Sequence, residues 1–201
     1  MKAREWQSYL EEQRRAHGKI VFTTTELANV AGRSPHALNV ELNRLVSYGV
    51  IERYAHGRYG LPGLATPELL LPSLDPTAYI TGSRALFHHR LITQAPVRIT
   101  CFSARRHGRA RLRSTSAGDC VLVCVCPPIY APPREGVYAG PEQALCDFFY
   151  MGLRSGLNAG GQVTFRNVRE IRRSRLSRLL RRYPATVRTR ILEVSALRGA
   201  V

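Results

Sequence analysis

Residues 23–62, TTTELANVAGRSPHALNVELNRLVSYGVIERYAHGRYGLP, admit few folds, because start and stop signals recur at short intervals. Thr24 and Thr25 supply hydroxyls suited to the N-cap of a short helix over residues 26–31. Gly32, Arg33 and Ser34 break that helix. Ser34 can cap a second one, with Pro35 at its first position, where a missing N–H costs nothing. In this second helix Leu38, Leu42, Leu45 and Val46 recur at helical spacing and define a core face. His36, Asn39, Val40, Asn43 and Ser47 fall on the other side, with Arg33 and Arg44 at its edges. Gly49 ends the helix. Residues 50–54, a turn at Ala55, His56 and Gly57, and residues 58–61 then read as a two-stranded ribbon.

Two helices joined by a glycine-containing turn and followed by a basic hairpin predict a winged helix-turn-helix, whose second helix enters a major groove. A helical hairpin packed on a sheet, with no ligand, is the plainer alternative. The outward face favours DNA, because it carries amide, imidazole and guanidinium groups instead of Glu/Lys pairs. The candidate DNA-binding residues are Arg33, Ser34, His36, Asn39, Val40, Asn43 and Arg44, with Arg53, His56 and Arg58 on the hairpin. Asn39 and Asn43 suit adenine, Val40 a thymine methyl, and the hairpin arginines the phosphate backbone.

Charge supports a polyanionic partner. The 201 residues carry a formal net charge of +16. Residues 1–62 hold 9 basic and 6 acidic side chains, residues 63–165 hold 10 and 6, and residues 166–201 hold 11 and 2. All cations except Lys2 and Lys19 are arginines, which suit bidentate phosphate contacts, although a GC-rich genome gives the same bias. No apolar run approaches the roughly 18 residues of a membrane span, and the charged N-terminus lacks the apolar stretch of a signal peptide. A cytoplasmic location is expected. The 5 cysteines are expected to be reduced thiols. Cys120, Cys124 and Cys126 read as one face of a strand and as small buried hydrophobes, because metal ligation would want a fourth ligand.

The overall expectation is an α+β chain: a winged helix-turn-helix domain over residues 1–62, a linker over 63–74, and a mixed α/β C-terminal domain over 75–201 ending in basic helices. A first helix over residues 2–17 should bury Trp6, Tyr9 and Leu10 and stop at Gly18. Beyond the linker, residues 78–90 read as a helix and 97–102 as a strand. Arg105, Arg106, His107, Gly108 and Arg109 read as a hairpin loop returning through residues 110–113. A strand over 120–126 follows, then a short strand over 136–139. Next comes a helix from Gly140 to Gly152 with Ala144, Leu145, Phe148 and Phe149 buried. Asn167 and Glu170 have capping-box spacing for a helix burying Ile171, Leu176, Leu179, Leu180 and Tyr183. Arg169, Arg173, Arg178 and Arg181 cover the rest of its circumference, and Pro184 opens a last helix.

The order of these pieces resembles the AbiEi family, the antitoxin and transcriptional-repressor half of type IV toxin–antitoxin systems. The resemblance rests on LVSYGVIERYAHGRYGLP, AYITGSRALFHHRLITQAPVRITCFS, GVYAGPEQALCDFFYMGL and the terminal basic helices, which together span almost the whole chain. It implies an N-terminal domain that binds repeats in its own promoter. It also implies a C-terminal domain that counters a nucleotidyltransferase-type toxin without a stable complex. The basic surface of Arg169, Arg173, Arg178 and Arg181 is then expected to engage RNA, nucleotide or another acidic partner.

Enzyme chemistry finds little footing. Tyr79–Ser83 echoes the Gly-Ser start of a nucleotidyltransferase, but no Asp or Glu follows before Phe102 to hold metal ions. Glu142 and Asp147 could imitate a nuclease pair, yet the domain has no lysine, and a helix N-terminus and surface role suits them better. His88 and His89 beside Ser83 lack an orienting acid. No Walker-type phosphate loop is present. No catalytic residue, metal or cofactor is therefore expected. The alternative function is a winged-helix regulator whose C-terminal domain senses a ligand.

Overall fold

The computed structural model describes residues 2–156, 161, 163–194 and 197. The chain is mixed α+β and forms two compact units. One comprises Met1–Pro76 with Ser114–Gly118, the other Thr77–Arg113 with Asp119–Val201.

The first unit contains α1 (Ala3–His17), β1 (Phe22–Thr23), α2 (Thr24–Ala31), α3 (Pro35–Ser47), β2 (Glu52–Ala55), β3 (Arg58–Gly60) and α4 (Pro67–Leu74). Helix α1 buries Trp6 and Leu10 and ends at Gly18, whose left-handed backbone turns its own amide to Arg14 O and that of Lys19 to Gln13 O. The cap of α2 is Thr23, one residue before the expected Thr24 or Thr25. Its hydroxyl accepts from Glu26 N at 3.1 Å while Glu26 accepts from Thr23 N at 2.8 Å. Only Thr23 has a carboxylate three residues on, so only it completes a reciprocal capping box. Ser34 caps α3 as expected, accepting from Ala37 N at 3.3 Å. Leu38, Leu42 and Leu45 then join Trp6, Leu10, Phe22 and Leu27 in one core.

The hairpin differs from the expected ribbon in having three strands. β1 pairs with the outer side of β3, Phe22 opposite Tyr59. The expected linker also differs. Residues 67–74 form α4, with Leu70 and Leu71 fully buried. Two prolines disguised it: Pro67 opens the helix, and Pro72 costs only one intrahelical bond near its end.

The second unit contains β4 (Tyr79–Ile80), α5 (Gly82–His88), β5 (Arg98–Ser103), all but the first residue of β7 (Gly118–Cys124), α6 (Pro141–Arg154), α7 (Arg173–Leu180) and α8 (Ala185–Glu193), while β6 (Leu112–Thr115) begins in it and ends in the Ser114–Gly118 segment of the first. Its sheet runs β4-β5-β7-β6. The expected helix over 78–90 therefore begins late, because Tyr79 and Ile80 pair with Phe102 and Cys101. The expected hairpin return is also wrong. The basic loop leads into a short 3-10 turn, Gly108–Arg111, and β6 lies beside β7, which separates it from β5. The side chain of Arg109 in that loop lies outside the described residues. β5 and β7 are parallel, and apolar side chains on both faces suit such central strands.

Helix α6 buries Ala144, Leu145, Phe148 and Phe149 as expected, in a core shared with Ile171, Leu176, Leu180, Tyr183, Val187 and Ile191. Glu142 and Asp147 are not surface groups: they are 1% and 0% exposed. Asn167 caps no helix. It adopts a left-handed backbone before a 3-10 turn, Val168–Glu170, and its amide donates to Arg90 O at 3.1 Å. Of the strand cysteines Cys120 is buried, Cys124 half-buried and Cys126 exposed, because β7 ends at Cys124. Among the described residues no helix is long and apolar enough to cross a membrane.

Candidate nucleic-acid interface

The outward face of α3 is built by the burial of its other side. Leu38 and Leu42 are fully buried, which leaves His36, Asn39, Val40, Asn43 and Arg44 exposed. Among the described residues no side-chain hydrogen bond or ion pair engages His36, Asn39, Asn43 or Arg44. Each Asn therefore keeps both its carbonyl and its NH₂ available, the pairing that matches adenine N6 and N7. Val40 is 66% exposed, which leaves its methyl groups open to an apolar contact such as a thymine methyl.

The edges are less free than the sequence suggests. Arg33 Nη1 lies 2.9 Å from Glu41 Oε2, and Glu41 Oε1 accepts from Trp6 Nε1 at 2.7 Å. Burial alone would raise the Glu41 carboxyl. The Trp6 bond, the positive charge of the N-terminal amino group and that of Arg33 together outweigh it, so the group sits below its ordinary value. Arg33 thus fastens α2's exit to α3. Ser34 is committed as an acceptor to the helix cap, which leaves its hydroxyl proton for a phosphate.

On the hairpin Arg53 is exposed and its Nη2 lies 3.1 Å from His56 Nδ1. The guanidinium only donates, so Nδ1 is the acceptor and the neutral ring carries its proton on Nε2. Arg58 is different. Its Nε and Nη2 donate to Ser73 O at 3.3 and 3.0 Å, and Nη1 donates to Gly57 O at 3.2 Å. Arg58 therefore braces the turn against the end of α4 instead of presenting its fork outward.

Two residues escaped the sequence reading. Tyr48, 70% exposed, and Lys2 line a cleft of about 520 Å³ with Arg33, Val40 and Arg44. The signal for Tyr48 was its place one turn beyond Arg44.

In the second unit Arg169, Arg173, Arg178 and Arg181 are all exposed. They do not form one stripe. Arg178 and Arg181 are three residues apart and share a side, whereas Arg173 stands about 140° around α7 from Arg178. The arginines with internal work are others. Arg175 Nε lies 3.5 Å from the buried Glu142 Oε2, and Arg182 donates to the carbonyls of Pro128 and Tyr130. His88 stacks on Tyr138 at 3.9 Å, and His89 Nε2 bonds Ala139 O at 2.8 Å, so the histidine pair is held by packing. Among the described residues no group of three or more His, Cys, Asp or Glu is placed to hold a metal ion.

No protein-family model and no curated protein matches this chain. Among solved structures it is similar to the crystal structure of the RV2827C protein from Mycobacterium tuberculosis, with a TM-score of 0.59 at 20% identity, over 98% of this chain and 77% of that one. At that identity the likeness carries the fold alone.

Proposed function

We propose that this chain is a DNA-binding repressor with a winged helix-turn-helix in its first unit, which reads promoter repeats through α3 and also acts as an antitoxin. The observation that carries the DNA-binding reading is the unengaged polar face of α3, with two asparagines and an exposed valine on a helix whose other side is fully buried. A helix serving only as packing material would be expected to spend those amides on its neighbours or to carry solvating Glu/Lys pairs.

The test is binding of the full chain to double-stranded DNA from its own promoter, measured across a salt series. Asn39→Ala and Asn43→Ala should each cost about 1–3 kcal/mol of discrimination between operator and random DNA, leaving salt-sensitive binding in place. Arg53→Ala should instead weaken binding to all sequences alike and lower the salt slope by about one. Unchanged selectivity in both asparagine variants defeats the assignment of α3.

The antitoxin half rests on the AbiEi resemblance and on the exposed arginines of the second unit. Co-expression with the cognate nucleotidyltransferase-type toxin that this reading requires tests it. Replacing Arg169, Arg173, Arg178 and Arg181 together with alanine should abolish growth rescue while operator binding persists. Full rescue at equal expression would remove those four from the mechanism.

A further inference from the structure

The second unit holds a cleft that DNA binding by α3 does not use. β5 and β7 run parallel and in register, ending with Ser103 beside Cys124. In parallel sheets ligands bind outside the carboxyl ends of the strands, where the chain leaves neighbouring strands in different directions. Here β5 is followed by the basic loop and the 3-10 turn Gly108–Arg111, and β7 by residues 125–130. The space between them is a cleft of about 790 Å³, within the range of roughly 300–1,000 Å³ for small-molecule sites.

Its lining has two chemistries. Leu122 and Val125, both buried, give it an apolar floor, and the Tyr130 ring joins them with its hydroxyl held by Thr77 O at 2.6 Å. Around this floor stand the guanidiniums of Arg106, Arg111 and Arg154, and no carboxylate lines the cleft among the described residues. Arg154 is steadied over the Tyr150 ring at 5.7 Å. Three like charges lining one cleft repel each other, and a multiply charged anion turns that repulsion into binding. Guanidinium forks match phosphate oxygens bidentately, and a fixed aromatic ring among apolar side chains suits a flat heterocycle.

We propose that the cleft at the carboxyl ends of β5 and β7 binds a nucleoside 5′-triphosphate, the phosphates held by Arg106, Arg111 and Arg154 and the base by Tyr130. This site stands independently of the DNA-binding reading. Titration calorimetry of the full chain with ATP, GTP, CTP and UTP at physiological salt tests it, with the parent nucleosides and inorganic pyrophosphate as probes of each half of the ligand. At least one triphosphate should bind saturably, and more tightly than its nucleoside or pyrophosphate. Arg106→Ala, Arg111→Ala and Arg154→Ala should each weaken it roughly tenfold, the worth of one charge-assisted hydrogen bond. All three side chains are exposed, so the fold should survive, which an unchanged Tm verifies. Replacing Arg15 and Arg188, exposed arginines outside the cleft, should leave affinity unchanged. The proposal is overturned by an absence of saturable binding or by pyrophosphate binding as tightly as the triphosphates. It is equally overturned by wild-type affinity in the three cleft variants, or by an equal loss in the Arg15/Arg188 control.

Discussion

Gly60→Ala is expected to unfold the N-terminal unit at much lower urea than the wild type and, with it, to abolish the operator binding proposed above. Gly60 lies in β3, and a Cβ built there would stand 2.6 Å from Tyr54 Cζ and nearer still to the Ile20 carbonyl oxygen. Neither neighbour can yield cheaply. Ile20 O belongs to the main chain, and Tyr54 is fully buried with its hydroxyl donating to Leu61 O. Overpacking a core usually costs about 1–3 kcal/mol, and a clash with main chain belongs at or above the top of that range. A domain with some 5–15 kcal/mol in hand loses a large part of its margin to one methyl group. Trp6 is the single tryptophan and sits in the core of this unit, so its fluorescence follows the transition directly. Gly57→Ala is the matched comparison. Gly57 needs a left-handed backbone at φ +66°, but its Cβ would meet only Thr24 Oγ1 at 3.5 Å, so about 1–2 kcal/mol is expected. A Gly60→Ala protein as stable as the Gly57→Ala one would show that the strand can shift away from Tyr54.

The contrast between these glycines also shows what the sequence could and could not tell. Local signals were legible where a pattern closes on itself within a few residues. The helical spacing of Leu38, Leu42 and Leu45 located the buried side of α3, and with it the exposed Asn39 and Asn43. Gly18 and Ser34 marked helix ends because the groups they satisfy lie within the adjacent turn. Illegible features had partners far along the chain. Arg58 looks like a phosphate contact until Ser73, fifteen residues on, claims it. Nothing local announces that β7 inserts between β5 and β6. The cleft proposed above follows from that insertion, since a β5–β6 hairpin would have no adjacent parallel ends. Asn167 and Glu170 had the spacing of a capping box, yet the bond from Asn167 to Arg90 O, seventy-seven residues away, took the side chain instead.

Asp147 is the largest departure from the sequence reading. It carries the second major prediction: the C-terminal unit should lose stability as the pH rises from roughly 4 to about 7. The carboxyl is fully buried on α6, and three separate stretches of chain supply its partners. Thr81 Oγ1 donates to Oδ2 at 2.6 Å, Tyr183 OH to Oδ1 at 2.5 Å, and Gln143 Nε2 lies 3.2 and 3.3 Å from the two oxygens. Burial pushes the group up from 3.8 to about 7, against the hydrogen bonds of Thr81, Tyr183 and Gln143 and the charge of Arg182. Tyr183 and Cys146 are themselves raised, chiefly by burial, so neither adds charge in this range. Between the two values the folded chain holds a proton that the unfolded chain has released, and stability therefore falls with rising pH. A span of about three pH units corresponds to a loss on the order of 4 kcal/mol, complete once the pH passes the folded value. Glu26 and Glu41 act with the opposite sign. Their folded values lie below the ordinary 4.5, so their contribution to the first unit is lost as the pH falls below that value. Urea titrations read by circular dichroism, with Trp6 fluorescence isolating the first unit, separate the two trends. Asp147→Asn imitates the protonated acid and should flatten the C-terminal profile. Asp147→Ala should destabilise at every pH by on the order of 3 kcal/mol or more, because it strands the buried donors of Thr81, Tyr183 and Gln143. A slope that survives in the Asp147→Asn protein would move the titration to another group and leave the buried carboxyl a purely structural acceptor.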